Sequence, residues 1–361
     1  MNESYYLVVK TGQAELKAIE NTARGTLEKI VPIVELTRGR KKMVGEDATY
    51  PYEKKLERLK NLFGGLDIVL DLTGDESLTS PEIDWLFEFQ DGYSNWVTLL
   101  QTLKSEGSFK SITPSLLQNF NDLDYEGNFS KQIKQLAADF ETLFYRCSIT
   151  DEYCYEDIPF ILGQLPQSNS LLIMIDCGYT PQAMTANMAN KLMARLDNLF
   201  GYELVDQRCT VAFCATSFPN NINDIGGLEY DVFKLAETDL YNVVRRKYNN
   251  VLYGDYGCIN PVRNDTIVMA RGWIPRIDVP LTDRVFYHRK RKAKSSYLDT
   301  YKIVADRVVS DSDFPASLDL WGIQEIKKCI EEPSSLAPSH WISVRMNIHI
   351  ETQARRLGII Q

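Results

Sequence analysis

Eight apolar, strand-like segments recur along the chain at nearly even spacing. The clearest is LLIMID at residues 171–176, where five apolar residues end at the carboxylate of Asp176 and a Cys-Gly turn follows. A continuous apolar run bounded by turn residues is typical of a strand buried on both faces, as in parallel sheets covered by helices. The segments begin near residues 5, 31, 66, 109, 144, 171, 209 and 251. The mean step, (251 − 5)/7, is about 35 residues, the length of one strand-loop-helix-loop unit.

Eight such units predict an α/β fold, a (β/α)8 barrel of the TIM type. A doubly wound open sheet usually has fewer strands and a glycine-rich first turn. Neither G-x-G-x-x-G nor G-x-x-x-x-G-K-[ST] occurs. After the eighth strand we expect a long excursion over residues 256–296, with a strand at 284–289. Residues 1–361 are predicted to form one domain, in which helical segments include 228–249, 297–309, 318–331 and 341–357.

Charge and cysteine usage restrict the setting of the protein. The net charge is −9 and the pI about 5.1, so an anionic partner must be held by local basic patches. The seven cysteines form no C-x-x-C pair, which favours buried thiols in a reducing compartment. We see neither a signal peptide nor an apolar run near 18 residues. These observations predict a cytoplasmic protein without a membrane partner.

Charged residues end most of the predicted strands. In a barrel the carboxyl ends of all strands meet at one rim, where binding and catalytic groups of such folds lie. Charged residues are rarely buried unless they are paired, yet these abut the most apolar segments of the chain. We therefore expect one pocket lined by two cations and four carboxylates. The eight strand ends are Lys10, Glu35, Asp71, Pro114, Arg146, Asp176, Ser217 and Asp255.

Three interpretations of this pocket remain open. The carboxylates could bind Mg²⁺ or Mn²⁺ while Lys10 and Arg146 neutralise a phosphate. Two carboxylates held apart could act as general acid and base in glycoside cleavage. The charges could also form an ion-pair network that stabilises the barrel without chemistry. A histidine-rich zinc centre is disfavoured, because the three histidines all follow the eighth strand and no H-E-x-x-H occurs. A serine hydrolase is disfavoured because no G-x-S-x-G occurs.

Two basic clusters interrupt the acidic average of the chain. Both follow predicted strand ends, so we expect them beside the barrel mouth, where they would attract a polyanion. The alternative is that each is a solvated surface. Tyr256, Trp273 and Tyr287 are candidate stacking surfaces for bases. The first cluster is Arg38, Arg40, Lys41 and Lys42, and the second is His288, Arg289, Lys290, Arg291, Lys292 and Lys294.

Several short motifs carry a resemblance to a known family. YYLVVKTGQAELKAIE at residues 5–20 is followed by VPIVELT at 31–37, and IDCGY, WIPRI and WISVRMNIHI occur later. This succession resembles the "beta protein" family, named from a protein of a tailed bacteriophage. The family's first helix typically begins with Arg-Gln, where this chain has Gly12-Gln13. The resemblance implies a phage or phage-defence setting, with no established activity and no catalytic residues to transfer.

These observations lead to a working hypothesis with one alternative. The hypothesis is a barrel that binds a phosphate-containing ligand or nucleic acid at its mouth and hydrolyses a phosphodiester with a divalent metal. The alternative is a non-catalytic scaffold or interaction protein, with a protein partner, in phage–host conflict. The catalytic candidates are Asp176, Glu35, Asp71 and Asp255, of which Glu35, Asp71 and Asp176 are also the metal-ligand candidates. The ligand-binding candidates are Lys10, Arg146, Arg38, Arg40, Ser217, Arg289 and Arg291.

Overall fold

A computed structural model describes residues 4–151, 156–262, 272–292 and 294–361. The strands alternate with helices along most of the chain. In chain order the strands are β1 (Tyr5–Lys10), β2 (Val31–Leu36), β3 (Lys42–Val44), β4 (Asp47–Thr49), β5 (Asp67–Leu72), β6 (Ser111–Pro114), β7 (Thr142–Ser148), β8 (Ser170–Tyr179), β9 (Cys209–Thr216), β10 (Tyr230–Lys234), β11 (Leu252–Asp255), β12 (Arg276–Pro280) and β13 (Arg284–Arg289).

Helices follow most of the strands along the chain. They are α1 (Gln13–Glu20), α2 (Arg24–Leu27), α3 (Glu53–Phe63), α4 (Pro81–Leu86), α5 (Gln90–Glu106), α6 (Tyr125–Asp139), α7 (Asp157–Gln164), α8 (Thr185–Leu199), α9 (Glu203–Arg208), α10 (Ala236–Arg245), α11 (Tyr297–Val309), α12 (Trp321–Cys329) and α13 (Pro338–Arg356). Short 3-10 turns occur at Glu76–Leu78, Gln182–Met184 and Ile222–Ile225. Within the described ranges, no helix combines the length and apolar character needed to cross a membrane.

Eight parallel strands form a nearly closed, barrel-like sheet. The hydrogen-bonded order is β6-β5-β2-β1-β11-β9-β8-β7. The two ends of this row approach each other where Ser115, just after β6, makes a parallel bridge with Phe144 of β7. The N–H of Leu116 donates to the carbonyl of Phe144 at 2.8 Å. Each strand therefore neighbours the next of the eight along the chain, as the even spacing of the apolar segments predicted.

The two faces of this sheet bury different residues. Alternate side chains of a strand point to opposite faces. On β1, Tyr6 and Val8 belong to a small cluster inside the sheet, whereas Tyr5 and Leu7 belong to the large core beneath the helices. Both faces are apolar, which explains why the strands read as continuous apolar runs.

A second, antiparallel sheet of order β10-β13-β12 lies beside the barrel. One face, including Val285 and Tyr287, packs on Phe218 and Cys258, which follow β9 and β11. The other face packs against apolar side chains of α11, α12 and α13. Because Phe218 and Cys258 follow the carboxyl ends of barrel strands, this sheet lies at the mouth end of the barrel.

Helix α13 is buried along most of its length although it is rich in polar residues. It contacts α1, α12 and β12, and its polar side chains find partners on those neighbours. The guanidinium of Arg345 lies 2.8 Å from Asp278 Oδ2, and Asn347 donates to the carbonyl of Asn21 at 3.0 Å. These specific pairs fix the position of α13 against β12 and the end of α1.

One predicted element is wrong in part. The pattern predicted a helix over residues 228–249, but Tyr230–Lys234 is strand β10 and the helix α10 covers Ala236–Arg245. Pairing of β10 with β13 overrides the local helical preference. The strand predicted at residues 284–289 is present as β13. The small sheet thus combines β12 and β13 of the predicted excursion with β10 from outside it.

Candidate functional site

Three charged side chains form one row at the carboxyl ends of neighbouring strands. Lys10 is the Cα partner of Glu35, and Glu35 is the partner of Asp71. Two positions earlier, Val8 and Ile33 belong to the interior cluster. Because residues two apart share a face, all three charged side chains point into the barrel.

Arg146 of β7 joins this row to the opposite part of the rim. Its Nη1 lies 2.6 Å from Glu35 Oε1 and 3.1 Å from Asp71 Oδ2. Its Nη2 lies 2.8 Å from Asp176 Oδ2 and donates to the Tyr256 hydroxyl at 2.8 Å. That hydroxyl donates to Asp176 Oδ1 at 2.6 Å. The planar fork of the guanidinium thus contacts side chains from β2, β5 and β8 and the residue after β11.

The two aspartates of this network differ in pKa. Burial raises the pKa of Asp71, and the neighbouring Glu35 adds to this rise against the opposing effect of Arg146. Burial acts in the same direction on Asp176, but its ion pair with Arg146 and the hydrogen bond from Tyr256 lower its pKa below the ordinary value. Asp176 is therefore the firmly ionised partner of Arg146, and Asp71 takes up a proton first as pH falls.

Lys10 is also engaged by protein groups. Its Nζ donates to the carbonyl of Pro261 at 2.7 Å and to Asp75 Oδ2 at 3.0 Å, and lies 3.8 Å from Glu35 Oε2. Only 15% of the Lys10 side chain is exposed. Both cations on the floor of the mouth are therefore neutralised by neighbouring carboxylates, so the floor carries no excess positive charge for an anion.

The carboxylates do not fit a divalent-metal centre as they stand. Mg²⁺ requires oxygen ligands at about 2.1 Å in near-octahedral geometry. The oxygens of Glu35, Asp71 and Asp176 that face one another already contact the Arg146 guanidinium, which would repel a metal cation. Among the described parts of the chain, no group of three or more His, Cys, Asp or Glu side chains could hold a metal ion.

Asp255 lies apart from the network, on the outer face of the sheet. Its Oδ1 accepts from the Tyr5 hydroxyl at 2.7 Å and from the Gly257 N–H at 2.8 Å. Its Oδ2 lies 2.7 Å from His349 Nε2 and accepts from the Tyr253 hydroxyl at 2.8 Å. Asp255 shares the face of Tyr253, two positions earlier, which belongs to the core beneath the helices. The expectation that Asp255 lines the pocket is therefore corrected.

Ser217 is likewise directed to the protein interior. It is buried, and its N–H donates to Glu237 Oε2 at 2.9 Å. Glu237 is fully buried in the first turn of α10, and burial raises its pKa to about 7 although His349 opposes the rise. Ser217 therefore positions a buried carboxyl group at the start of α10.

The first basic cluster lies at the mouth end, after β2. Arg38 packs on the ring of Tyr50, with 5.2 Å between its Cζ and the ring centroid. Arg40 is exposed, with its Nη2 3.4 Å from Gln13 Oε1. Lys41 and Lys42 are exposed at the start of the β3–β4 hairpin. Arg40, Lys41 and Lys42 therefore face solvent beside the rim.

The second basic cluster lies on the small sheet, and the structure adds Arg276 to it. Arg276 and Arg289 are Cα partners across β12 and β13. Burial lowers the pKa of Arg289, and the positive charges of Arg276 and Arg291 lower it further. Arg276 and Arg345 both stack on Phe218, with Cζ atoms 5.7 and 3.6 Å from the ring centroid. Several cations therefore meet where the small sheet packs on the barrel mouth. Asp278 partly compensates them, because its carboxylate lies 3.0 Å from Arg276 Nε and 2.8 Å from Arg345 Nη1.

Comparison with known sequences finds similarity over nearly the whole chain. The sequence model described as "Beta protein" matches residues 5–355. The chain belongs to the Beta protein family. It is 22% identical to "Protein beta" of Enterobacteria phage P4 over 365 residues, which cover 98% of this chain and 93% of the relative. The resemblance identified from the short motifs is confirmed.

In this Beta protein family member, sequence reasoning missed the role of one tyrosine. Tyr256 is 4% exposed and Tyr287 is fully buried, so neither offers a stacking surface, and Tyr256 instead bonds Arg146. Trp273 is half-buried and stacks on Tyr297 with ring centroids 4.2 Å apart. The sequence carries no signal for this role, because Tyr256 faces the interior only if the preceding Asp255 faces outward, and an apolar run buried on both faces does not reveal that orientation.

Proposed function

We propose that this Beta protein family member binds nucleic acid or another phosphate-containing polyanion along the rim of a TIM-type, single-domain barrel, in a phage-associated setting. The observation that carries the proposal is the group Arg276, Arg289 and Arg291. Arg276 and Arg289 are partners across β12 and β13, and the charges of Arg276 and Arg291 add to the effect of burial in lowering the pKa of Arg289. Cations held together against their own repulsion are stabilised by an anion placed among them. Phosphates are the anions that clustered arginines bind best.

The location of this group supports the same proposal. The Arg276 guanidinium packs on the ring of Phe218. Because Phe218 follows the carboxyl end of β9, the arginines lie at the mouth end of the barrel. Lys290 and Lys292 extend these arginines into a basic strip, called the arginine strip below. Lys292 Nζ lies 5.1 Å from the centroid of the Tyr297 ring. The exposed Arg40 near the β3–β4 hairpin adds a second contact region on the rim. A polyanion can bridge such separated patches, whereas a small anion cannot.

The Arg146 network supports binding without metal-dependent hydrolysis. Its carboxylates are engaged by the guanidinium, so they serve as ion-pair partners that hold strands β2, β5, β7 and β8 together. This feature also favours the second candidate function, a non-catalytic interaction protein of the phage setting. Six described cysteines are free thiols, which supports a reducing, cytoplasmic location for either function.

Fluorescence anisotropy with labelled 20-nucleotide single strands and 20-base-pair duplexes tests the proposal. We expect binding that weakens steeply between 50 and 200 mM salt. The double variant Arg289→Gln/Arg291→Gln should bind at least tenfold more weakly. The matched control Lys29→Gln/Lys134→Gln removes two exposed cations elsewhere and should change affinity less than twofold. Absence of binding, or equal losses in both double variants, would reject the rim as the binding surface and leave the second candidate.

A further inference from the structure

A groove of about 450 Å³ lies beside the barrel mouth, on the side of β5 and β6. It is formed by the loop after β5, by α4 and the residues that follow it, and by Asn119 after β6. Four carboxylates line it, together with two phenylalanines that supply apolar surface. The lining residues on which the argument depends are Asp75, Glu76, Asp84, Glu88, Phe87 and Phe89.

The chain around this groove lacks basic residues to an unusual extent. No Lys or Arg occurs in residues 61–103 or in residues 111–130. Lys10 reaches Asp75 from the barrel side at 3.0 Å, but Glu76, Asp84 and Glu88 are exposed to solvent. The groove therefore carries a concentrated negative charge, opposite in sign to the arginine strip elsewhere on the rim.

Large apolar side chains are exposed next to the same groove. Trp85, the neighbour of Asp84 in α4, is 54% exposed, and Phe120, the neighbour of Asn119, is 68% exposed. Leu123 in the same loop is fully exposed. Exposed apolar side chains in the segments that form a groove are typical of protein-interaction sites.

The apolar part of the groove is rigidly supported. The ring of Phe87 packs edge-on against Tyr93, with centroids 6.1 Å apart, and Tyr93 is 1% exposed. Ile83, which also lines the groove, is buried. The apolar surface is therefore preformed, and its side chains would lose little conformational entropy when a partner binds.

We propose that this groove docks a basic, amphipathic segment of a partner protein. Lys or Arg side chains of the segment would face Glu76, Asp84 and Glu88, and an apolar side chain would contact Phe87 and Phe89. The choice of occupant follows from charge: carboxylates repel a nucleic acid, and the apolar lining adds nothing to the binding of a simple cation. The inference is independent of the polyanion proposal, because it concerns a surface of opposite charge.

Fluorescence anisotropy with three labelled 14-residue peptides tests this inference. One peptide combines Lys and Leu in an amphipathic helical pattern, the second has Ser in place of Leu, and the third has Glu in place of Lys. We expect the Lys/Leu peptide to bind at least fivefold more tightly than either of the others. The variant Glu76→Gln/Glu88→Gln should weaken its binding at least fivefold and leave nucleic-acid affinity unchanged.

The matched control is Glu331→Gln/Glu332→Gln, which removes two exposed carboxylates after α12. It should change peptide affinity less than twofold. Equal losses in both double variants would show unspecific attraction to an acidic protein and overturn the inference, as would equal binding of the Lys/Leu and Lys/Ser peptides. Self-association that light scattering detects in the wild type and not in Glu76→Gln/Glu88→Gln would make a second copy the occupant and would also overturn it.

Discussion

Arg146 Nη1 and Glu35 Oε1 lie 2.6 Å apart, although β6 and β5 stand between their strands in the barrel. The contact therefore crosses the interior and joins positions 111 residues apart in the chain. The same guanidinium also contacts Asp71 and Asp176. One cation thus compensates three buried or half-buried carboxylates.

Replacement of this cation should be strongly destabilising. In Arg146→Met the three carboxylates lose their common partner, and we expect the free energy of unfolding in urea to fall by about 3–5 kcal/mol. The control is Lys110→Met, which breaks the exposed pair with Asp67 and should change stability by less than about 1 kcal/mol. A loss in Arg146→Met no larger than in the control would show that the network contributes little.

Divalent metals should not bind the wild-type mouth. Calorimetric titration of Mg²⁺ or Mn²⁺ into chelator-treated protein is expected to give no saturable heat, because the Arg146 guanidinium already contacts the carboxylates. In folded Arg146→Met a saturable heat should appear, and adding Asp176→Asn should remove it. Stoichiometric metal binding by the wild type would instead support the metal-centre interpretation.

Stability should depend on pH through Glu237. Its pKa in the folded state is about 7, above the ordinary value of 4.5. The folded state holds this proton more tightly than the unfolded state does. The stabilising contribution of the protonated Glu237 is therefore fully present below pH 4.5 and is lost as pH rises through 7. Glu237→Gln removes this loss, so its stability relative to the wild type should rise by roughly 2–3 kcal/mol from pH 5 to pH 8. In Glu331→Gln, at an exposed site, the difference should stay constant across that range.

Asp255 and His349 should be energetically coupled. Both are fully buried and lie 2.7 Å apart. His349→Leu should therefore cost about 3–5 kcal/mol, because the buried carboxylate loses its imidazole partner and keeps only its hydroxyl and N–H donors. In a double-mutant cycle with Asp255→Asn, the second change should cost about 1–3 kcal/mol less than it does alone. Asp255→Asn combined with the distant Lys110→Met should be additive. Additivity in the Asp255–His349 cycle would mean that the two side chains have no measurable coupling free energy.

The barrel strands could be predicted because a strand buried on both faces has a continuous apolar sequence. Each strand is an apolar run between turns, and the spacing of the runs implied their order in the sheet. The same property hides which way a side chain points, because no alternation marks the two faces. Asp176 and Asp255 looked equivalent as charges beside apolar segments, yet one lies inside the barrel and the other outside.

The antiparallel sheet could be predicted only in part, because its pairing is set by tertiary contacts. Tyr230–Lys234 is exposed along most of its length, so it has no apolar signature of its own. It becomes a strand by pairing with Arg284–Arg289. Arg276 was missed for the same reason, since only the pairing of β12 with β13 brings it opposite Arg289.

The contact between His349 and Asp255 joins residues 94 positions apart in the chain. This separation delays the contact during synthesis of the protein. At about 5–20 residues per second, a ribosome delivers the histidine on the order of 5–20 s after the aspartate. During that interval the wall that α13 will cover is exposed, with a carboxylate in place but no imidazole opposite it. The barrel therefore stays unfinished during synthesis, and translation of α13 sets the moment at which its outer layer can be completed.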